Sequence, residues 1–281
     1  MTEFTKIQFG HNEHVRSAEI ALPINNSPSM LILALHGTGS DAQGMAEFSQ
    51  LHATARQYNA TVVYPNGLGR TPISRSWNAG DCCSYAKKID AHDVGFLDAL
   101  IDRVFAEFDI DANTRVCVTG MSAGGMMAYR FACESVRQIS AVCSVAGPAV
   151  LRPLVPRYPT PVLHFHGTDD EFTPYAGGVG AKSLSRVHFP SVEDTIAAWV
   201  AANGCDRQRT EELLQAPNAA CTVKRIDVHR YVRNDETFVT SFIMHGGGHT
   251  WPGQPCTMPF LGNACEWLDA NRLMLDFFQQ W

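Results

Sequence analysis

The chain has 281 residues, 45% of them hydrophobic and 18% charged, enough to bury the core of one large α/β domain over residues 1–281. A formal charge of -6 without any run of Lys or Arg excludes nucleic acid and anionic membrane as the main partner and points to a small or neutral molecule. No apolar stretch reaches the roughly eighteen residues of a membrane span, and the opening MTEFTKIQFG lacks the basic and apolar layout of a secretion leader, so a soluble chain is expected.

Thr5 to Phe9 and Val15 to Leu22 read as two strands around a polar turn, an antiparallel edge to the sheet. Met30 to Leu35 is a continuous apolar run, as expected of a strand covered on both faces. It ends in His36-Gly37-Thr38-Gly39-Ser40, and a helix is expected from about Ala42 to Tyr58. Thr61 to Tyr64 is the next buried strand, followed by a long irregular segment from Leu68 to Lys88. A loop of that length is usually functional, and Trp77, Cys82 and Cys83 argue that this one is ordered. Asp90 to Phe108 places Val94, Leu97, Leu100, Ile101, Val104 and Phe108 on one helical face. Then come a strand at Val116, two more at Ala141 to Ala146 and Pro161 to Phe165, and a helix capped by Ser191 that runs to Ala202. Two alternating runs, Thr222 to Val232 and Thr237 to Met244, precede a glycine-rich loop and a final helix from about Glu266 to Phe278. Apolar strands alternating with helices mean a mostly parallel sheet with helices on both faces. Chemistry on such a sheet sits beyond the carboxyl ends of the strands, which singles out the loops after Leu35, Thr119, Phe165 and Met244.

The chain carries nine cysteines. Cys117, Cys133 and Cys143 lie in apolar patterns, where a thiol behaves as a small hydrophobe. The other six pair by position in loop-like sequence: Cys82 with Cys83, Cys205 with Cys221, and Cys256 with Cys265. Such pairing leans toward an oxidising compartment, whereas the absence of a CxxC pair or helical His pair speaks against a metal site.

Between Val116 and Cys133 the sequence VCVTGMSAGGMMAYRFAC reads as strand, sharp turn and helix. The turn Gly120-Met121-Ser122-Ala123-Gly124 is a nucleophile elbow: glycines two residues either side of Ser122 leave room where any Cβ would strike a neighbouring element. A serine hydroxyl is a poor nucleophile at neutral pH and needs a base, with a third group to orient that base. Ser122 is followed by Asp169 and Asp170 after one strand and by His249 after the last, the chain order of α/β-hydrolases. The oxyanion formed on attack needs fixed N–H donors, expected from Ala123 after the nucleophile and from Thr38 in the glycine turn after Leu35. Trp77 and Trp251 stand beside these motifs in sequence, as candidate walls of a substrate pocket.

LHGTGS, SWNAGDCC, HDVGFLDALID, GMSAGGMMAYRFAC, HGTDDEFTPYAGG and GGGHTWPG together resemble the polyhydroxybutyrate depolymerase and feruloyl esterase type of α/β-hydrolase. In that family the acid is the fifth residue of HGxxDxxxPY, which the resemblance carries to Asp170, and the residue after His-Gly, here Thr38, is an oxyanion donor. The chain departs in having Thr173 where the family often has valine and Asp169 beside the acid, and in lacking an evident separate substrate-binding domain. The resulting expectation is a serine esterase with the triad Ser122, Asp170 and His249, acting on a small or oligomeric ester without cofactor or metal. The resemblance, with the cysteine pairing, implies a secreted or periplasmic home, with a cytoplasmic one as the alternative. A serine peptidase and a non-catalytic binding protein on the same scaffold are the alternatives.

Overall fold

In a computed structural model that describes residues 4–23, 27–183 and 185–281, the chain builds one ten-stranded sheet. Its strands are β1 (Phe4–His11), β2 (His14–Ala21), β3 (Met30–Leu35), β4 (Ala60–Pro65), β5 (Arg115–Met121), β6 (Ala141–Val145), β7 (Val162–Gly167), β8 (Arg207–Gln215), β9 (Arg225–Arg233) and β10 (Glu236–His245). Across the sheet they run β1-β2-β4-β3-β5-β6-β7-β10-β9-β8. Neighbours from β4 to β10 in that order are parallel. Antiparallel pairs close both edges. The register sets Leu35 beside Gly120 and Met244 beside Gly167, so the chain leaves β3, β5, β7 and β10 on one side of the molecule.

The helices are α1 (Ala42–Ser49), α2 (Leu51–Ala55), α3 (Ser84–Lys88), α4 (Asp93–Glu107), α5 (Ala123–Glu134), α6 (Val192–Ala202) and α7 (Ala270–Gln279). Side chains along a strand alternate between faces. In β3, Leu31, Leu33 and Leu35 accordingly pack with α4, α5 and α6 through Leu97, Phe131 and Trp199. Met30, Ile32 and Ala34 face the other way, onto α1, α2 and α7 through Met45, Leu51 and Met274. Both faces of the central strands are therefore dry, which is why their sequences are continuously apolar. Among the described residues no helix is long and apolar enough to cross a membrane.

The boundaries differ from expectation at particular residues. The helix expected over 42–58 is broken at Gln50, whose φ of 48° ends α1; α2 restarts at Leu51 and gives way to a 3-10 turn, Arg56–Tyr58. The last helix begins at Ala270 because the Asp269 side chain accepts from the amide of Arg272. Strand β8 was not expected: RQRTEELLQ lacks an apolar alternation, and it joins the sheet by pairing with β9.

Of the three expected cysteine pairs, one is joined and two are not. Sγ of Cys82 and Cys83 are joined, while Cys205, Cys221, Cys256 and Cys265 are free. Cys205 and Cys221 stand at opposite ends of the nine-residue β8, about 30 Å of extended chain. The Thr222 hydroxyl donates to the carbonyl of Ala264 at 2.8 Å, which ties the Cys221 end of that segment to the neighbourhood of Cys265 instead. The Cys256 thiol donates to the carbonyl of Met258, and Cys265 is buried.

Candidate active site

β5 delivers Ser122 to the sheet's carboxyl side in a backbone conformation of φ 56°, ψ -121°, which L residues rarely adopt. The two flanking glycines make this turn possible. A Cβ on Gly120 would strike the backbone of Gly124, and one on Gly124 would strike the carbonyl oxygens of Leu35 and His36 at the end of β3. The amide of Ser122 donates to Val145 at 2.8 Å, fixing the elbow to the end of β6. Ala123 is the first residue of α5, so its amide has no carbonyl one turn earlier within the helix to bond.

The loop after β3 lies against this turn: a Cβ on Gly37 would sit 3.5 Å from that of Ser122. Thr38 is exposed there, its hydroxyl 2.9 Å from that of Ser76. The loop is held from below by His36, which is fully buried. Its Nδ1 donates to the carbonyl of Gly37 at 2.7 Å and its Nε2 accepts from the amide of Gly67 at 2.9 Å. Burial lowers its pKa to about 4, so this ring is neutral at physiological pH.

Asp170 and His249 come from the turns after β7 and β10. Asp170 is buried, and its Oδ1 accepts from the amides of Phe172 and Thr173 at 2.8 and 2.9 Å. Its Oδ2 accepts from His249 Nδ1 at 2.7 Å. Burial works to raise the pKa of this carboxyl, but the charge and hydrogen bond of His249, with further help from His166 and the Thr173 amide, hold it down at about 2. Asp170 is thus an ionised acceptor that fixes the His249 ring through Nδ1. The neighbouring Asp169 is exposed and bonds the hydroxyl of Thr168. His249 is also set by its backbone, its amide donating to Leu261 at 2.7 Å.

The departure at Thr173 has a use in this geometry. Its hydroxyl lies 3.0 Å from Asp170 Oδ2 and 2.8 Å from the carbonyl of Ala146, joining the acid's turn to the loop after β6. Valine has no group for either contact.

Trp77 and Trp251 are corrections. Both are buried, at 0% and 1% exposure. The Trp77 indole N–H donates to the carbonyl of His36 at 2.8 Å, and that of Trp251 to Asn271 Oδ1 at 2.9 Å. Each ring anchors a functional loop to the core instead of presenting a face to substrate. The aromatic surface beside the base comes from Phe172, its ring 4.9 Å from that of His249, and from Phe260, 6.3 Å from Phe172 and 57% exposed. The signal for Phe172 was its place two residues after the acid; Phe260 carries none in sequence. A groove of ≈ 720 Å³ opens on the acid's turn, bordered by Thr168, Asp169, Glu171, Val179 and Asn263.

Known proteins resemble this chain in sequence and in fold. The chain is 31% identical over 241 residues to the putative esterase NocK of Nocardia uniformis subsp. tsuyamanensis, a match covering 79% of this chain and 65% of that protein. It is 26% identical over 229 residues to a probable feruloyl esterase C of Aspergillus niger, covering 80% and 71%. Other curated relatives are much longer, and the chain spans 25% and 32% of two of them. The fold matches that of an acetyl xylan esterase from Aspergillus awamori with a TM-score of 0.60 at 15% identity, over 88% of this chain and 94% of that one. Residues 16–208 match the profile of the phospholipase/carboxylesterase family, which takes in the elbow and the acid; the chain belongs to that family of α/β-hydrolases.

Proposed function

We propose that the chain is a serine carboxylic-ester hydrolase. The observation that carries the reading is the buried 2.7 Å contact between His249 Nδ1 and Asp170 Oδ2, on the same side of the sheet as a serine held in the elbow conformation. Ser122 attacks the ester carbonyl as His249 Nε2 takes its proton, while the amides of Thr38 and Ala123 receive the oxyanion. The protonated ring then gives its proton to the departing alkoxide, leaving an acyl-Ser122. Water, activated by the same nitrogen, releases the acid and restores the serine. Asp170 remains ionised throughout and stabilises the imidazolium. The whole cycle is completed by these side chains and amides within one catalytic domain, a reading supported by the single continuous sheet.

The substrate class we infer is a neutral ester of small or aromatic acyl groups. Phe172 and Phe260 offer aromatic surface beside the base, and relatives carry feruloyl esterase and acetyl xylan esterase in their names. Asp169 and Glu171 on the groove's border, with the chain's net negative charge, disfavour anionic substrates. Kinetics with p-nitrophenyl esters of rising chain length, methyl ferulate and a hydroxybutyrate oligomer test the assignment. Turnover of at least one of these, lost by roughly three decades or more in Ser122→Ala with the fold intact, is expected. Efficient cleavage of unmodified peptides, with none of the esters turned over, would replace the esterase reading by a peptidase.

An oxidising compartment, secreted or periplasmic, is proposed on the joined sulfurs of Cys82 and Cys83. Titration of the denatured, unreduced protein is expected to find seven thiols. All nine cysteines titrating would place the chain in a reducing compartment.

A further inference from the structure

Behind Asp170 runs a file of buried side chains that no step of the reaction uses. Tyr129 on α5 and His164 and His166 on β7 are 1%, 0% and 0% exposed. The Tyr129 hydroxyl is 2.8 Å from His164 Nδ1, His164 Nε2 is 3.1 Å from His166 Nδ1, and His166 Nε2 is 2.7 Å from the carbonyl of Thr173. The same nitrogen lies 3.5 Å from Asp170 Oδ2.

The direction of every bond in this file follows from its far end. The carbonyl of Thr173 can only accept, so the proton of His166 is on Nε2. Burial lowers the pKa of both imidazoles, that of His164 most, and keeps them neutral with one N–H each. His166 Nδ1 is then a bare acceptor, which puts the His164 proton on Nε2 and leaves His164 Nδ1 to accept from the Tyr129 hydroxyl. The opposite sense would set a His166 lone pair against the carbonyl of Thr173 and the carboxylate of Asp170. The rings stack, with centroids 5.3 Å apart at 16° between the histidines and 6.1 Å at 13° between Tyr129 and His164, so none turns without displacing the next.

Two consequences reach the acid. His166 sets its Nε2–H 3.5 Å from Asp170 Oδ2, the same oxygen that accepts from His249. It also pins the carbonyl of Thr173, the residue whose amide and hydroxyl contact both oxygens of that carboxylate. We propose that Tyr129, His164 and His166 are positioning residues for the Asp170–His249 pair, a one-way hydrogen-bonded file whose last N–H is bonded to the carbonyl of Thr173 and lies 3.5 Å from the acid.

The proposal rests on Asp170 and His249 being the acid and base of the esterase, yet its first test needs no catalysis. Long-range ¹H–¹⁵N spectra of the histidines in the wild-type protein distinguish the two ring tautomers, and both His164 and His166 are expected as neutral Nε2–H forms. An Nδ1–H form or a charged ring at either position overturns the file. The second test is Tyr129→Phe, which keeps the ring in place and removes the donor. The unpaired His164 nitrogen is expected to loosen the file, lowering kcat about tenfold with KM little changed and shifting the low-field proton resonance of His249 Nδ1–H. In the third, His166→Gln, whose amide N–H reaches the place of Nε2, is expected to retain more kcat than His166→Leu at equal melting temperature. Folded Tyr129→Phe with unchanged kcat and unchanged resonance overturns the positioning role. Esterase activity surviving Ser122→Ala would instead refute the catalytic reading, an outcome that the tautomer spectra do not touch.

Discussion

Asp169 and Asp170 are adjacent, equally acidic in ordinary peptides, and separated here by environment alone. Asp170 lies at the bottom of its turn with two backbone amides and the His249 N–H donating to its oxygens; Asp169 points to water with a threonine hydroxyl as its partner. Asp170→Asn is expected to lower kcat by about 10³ to 10⁴, because the amide either loses its acceptor toward His249 or presents an N–H and forces the wrong imidazole tautomer. Asp169→Asn is expected to change kcat less than about tenfold, since it alters only an exposed hydrogen bond. Measuring kcat for both variants on one p-nitrophenyl ester checks the assignment, and equal losses would mean the acid is misplaced. The placement of Ser122 and His249 at strand ends was legible in the sequence because an elbow and a glycine-rich loop are spacing signals. The orientation of a side chain is not: Trp77 and Trp251 stand next to functional motifs in sequence, but their indoles turn inward to bond His36 and Asn271.

At the scale of elements, the strands of the central sheet were legible as continuous apolar runs because both of their faces are buried. Strand β8 was not, since an edge strand of Arg, Gln and Glu gains its structure from the ladder with β9. Gln50 gave no sign that it would break a helix, for neither glycine nor proline marks the place. The pair of Cys205 with Cys221 failed for the same reason as β8: which loops meet is decided by the sheet order, and β8 separates the two. The irregular segment after β4 is ordered by a tie that likewise crosses elements. Arg16 on β2 donates to Asp93 Oδ1 at 2.7 Å and lies 3.7 Å from the centroid of the Phe96 ring, while Asp93 Oδ2 accepts from the amide of Asn78 at 2.8 Å. Both charged side chains are buried, at 2% and 0% exposure. Arg16→Ala would leave the carboxylate of Asp93 without its counter-charge, and a loss of about 3 to 5 kcal/mol is expected from urea unfolding. The double variant Arg16→Met with Asp93→Leu is expected to recover much of that loss, because no charge then stays buried. A single-variant loss below about 1 kcal/mol would show that water reaches the pair.

For the molecule as a whole, the buried histidines set a limit on the acid side. His36, His164 and His166 are fully buried with pKa values lowered by that burial, while the unfolded chain presents ordinary imidazoles near 6.5. A group with a lowered folded pKa binds its proton more readily when unfolded, so its contribution to stability is present above the unfolded value and is lost as pH falls. For His36 the window runs from about 6.5 down to about 4, and full traversal of that interval costs on the order of 3 kcal/mol. Asp170 acts with the same sign lower down: its pKa of about 2 lies below the ordinary carboxylate value, so it adds a further loss between about pH 4 and 2. The melting temperature is therefore expected to be flat from pH 8 to 7, to start falling near pH 6.5, and to fall continuously to pH 4, before most exposed carboxylates titrate. The file of Tyr129, His164 and His166 makes the test specific. With its two neutral rings locked into hydrogen bonds, His164→Phe should be less stable than wild type at pH 7, since it leaves His166 Nδ1 without a donor. It should also show a shallower decline between pH 6.5 and 4, having one imidazole fewer to protonate. Differential scanning calorimetry of both proteins across that range checks the sign and the slope, and parallel curves would show that His164 does not contribute to the acid limit.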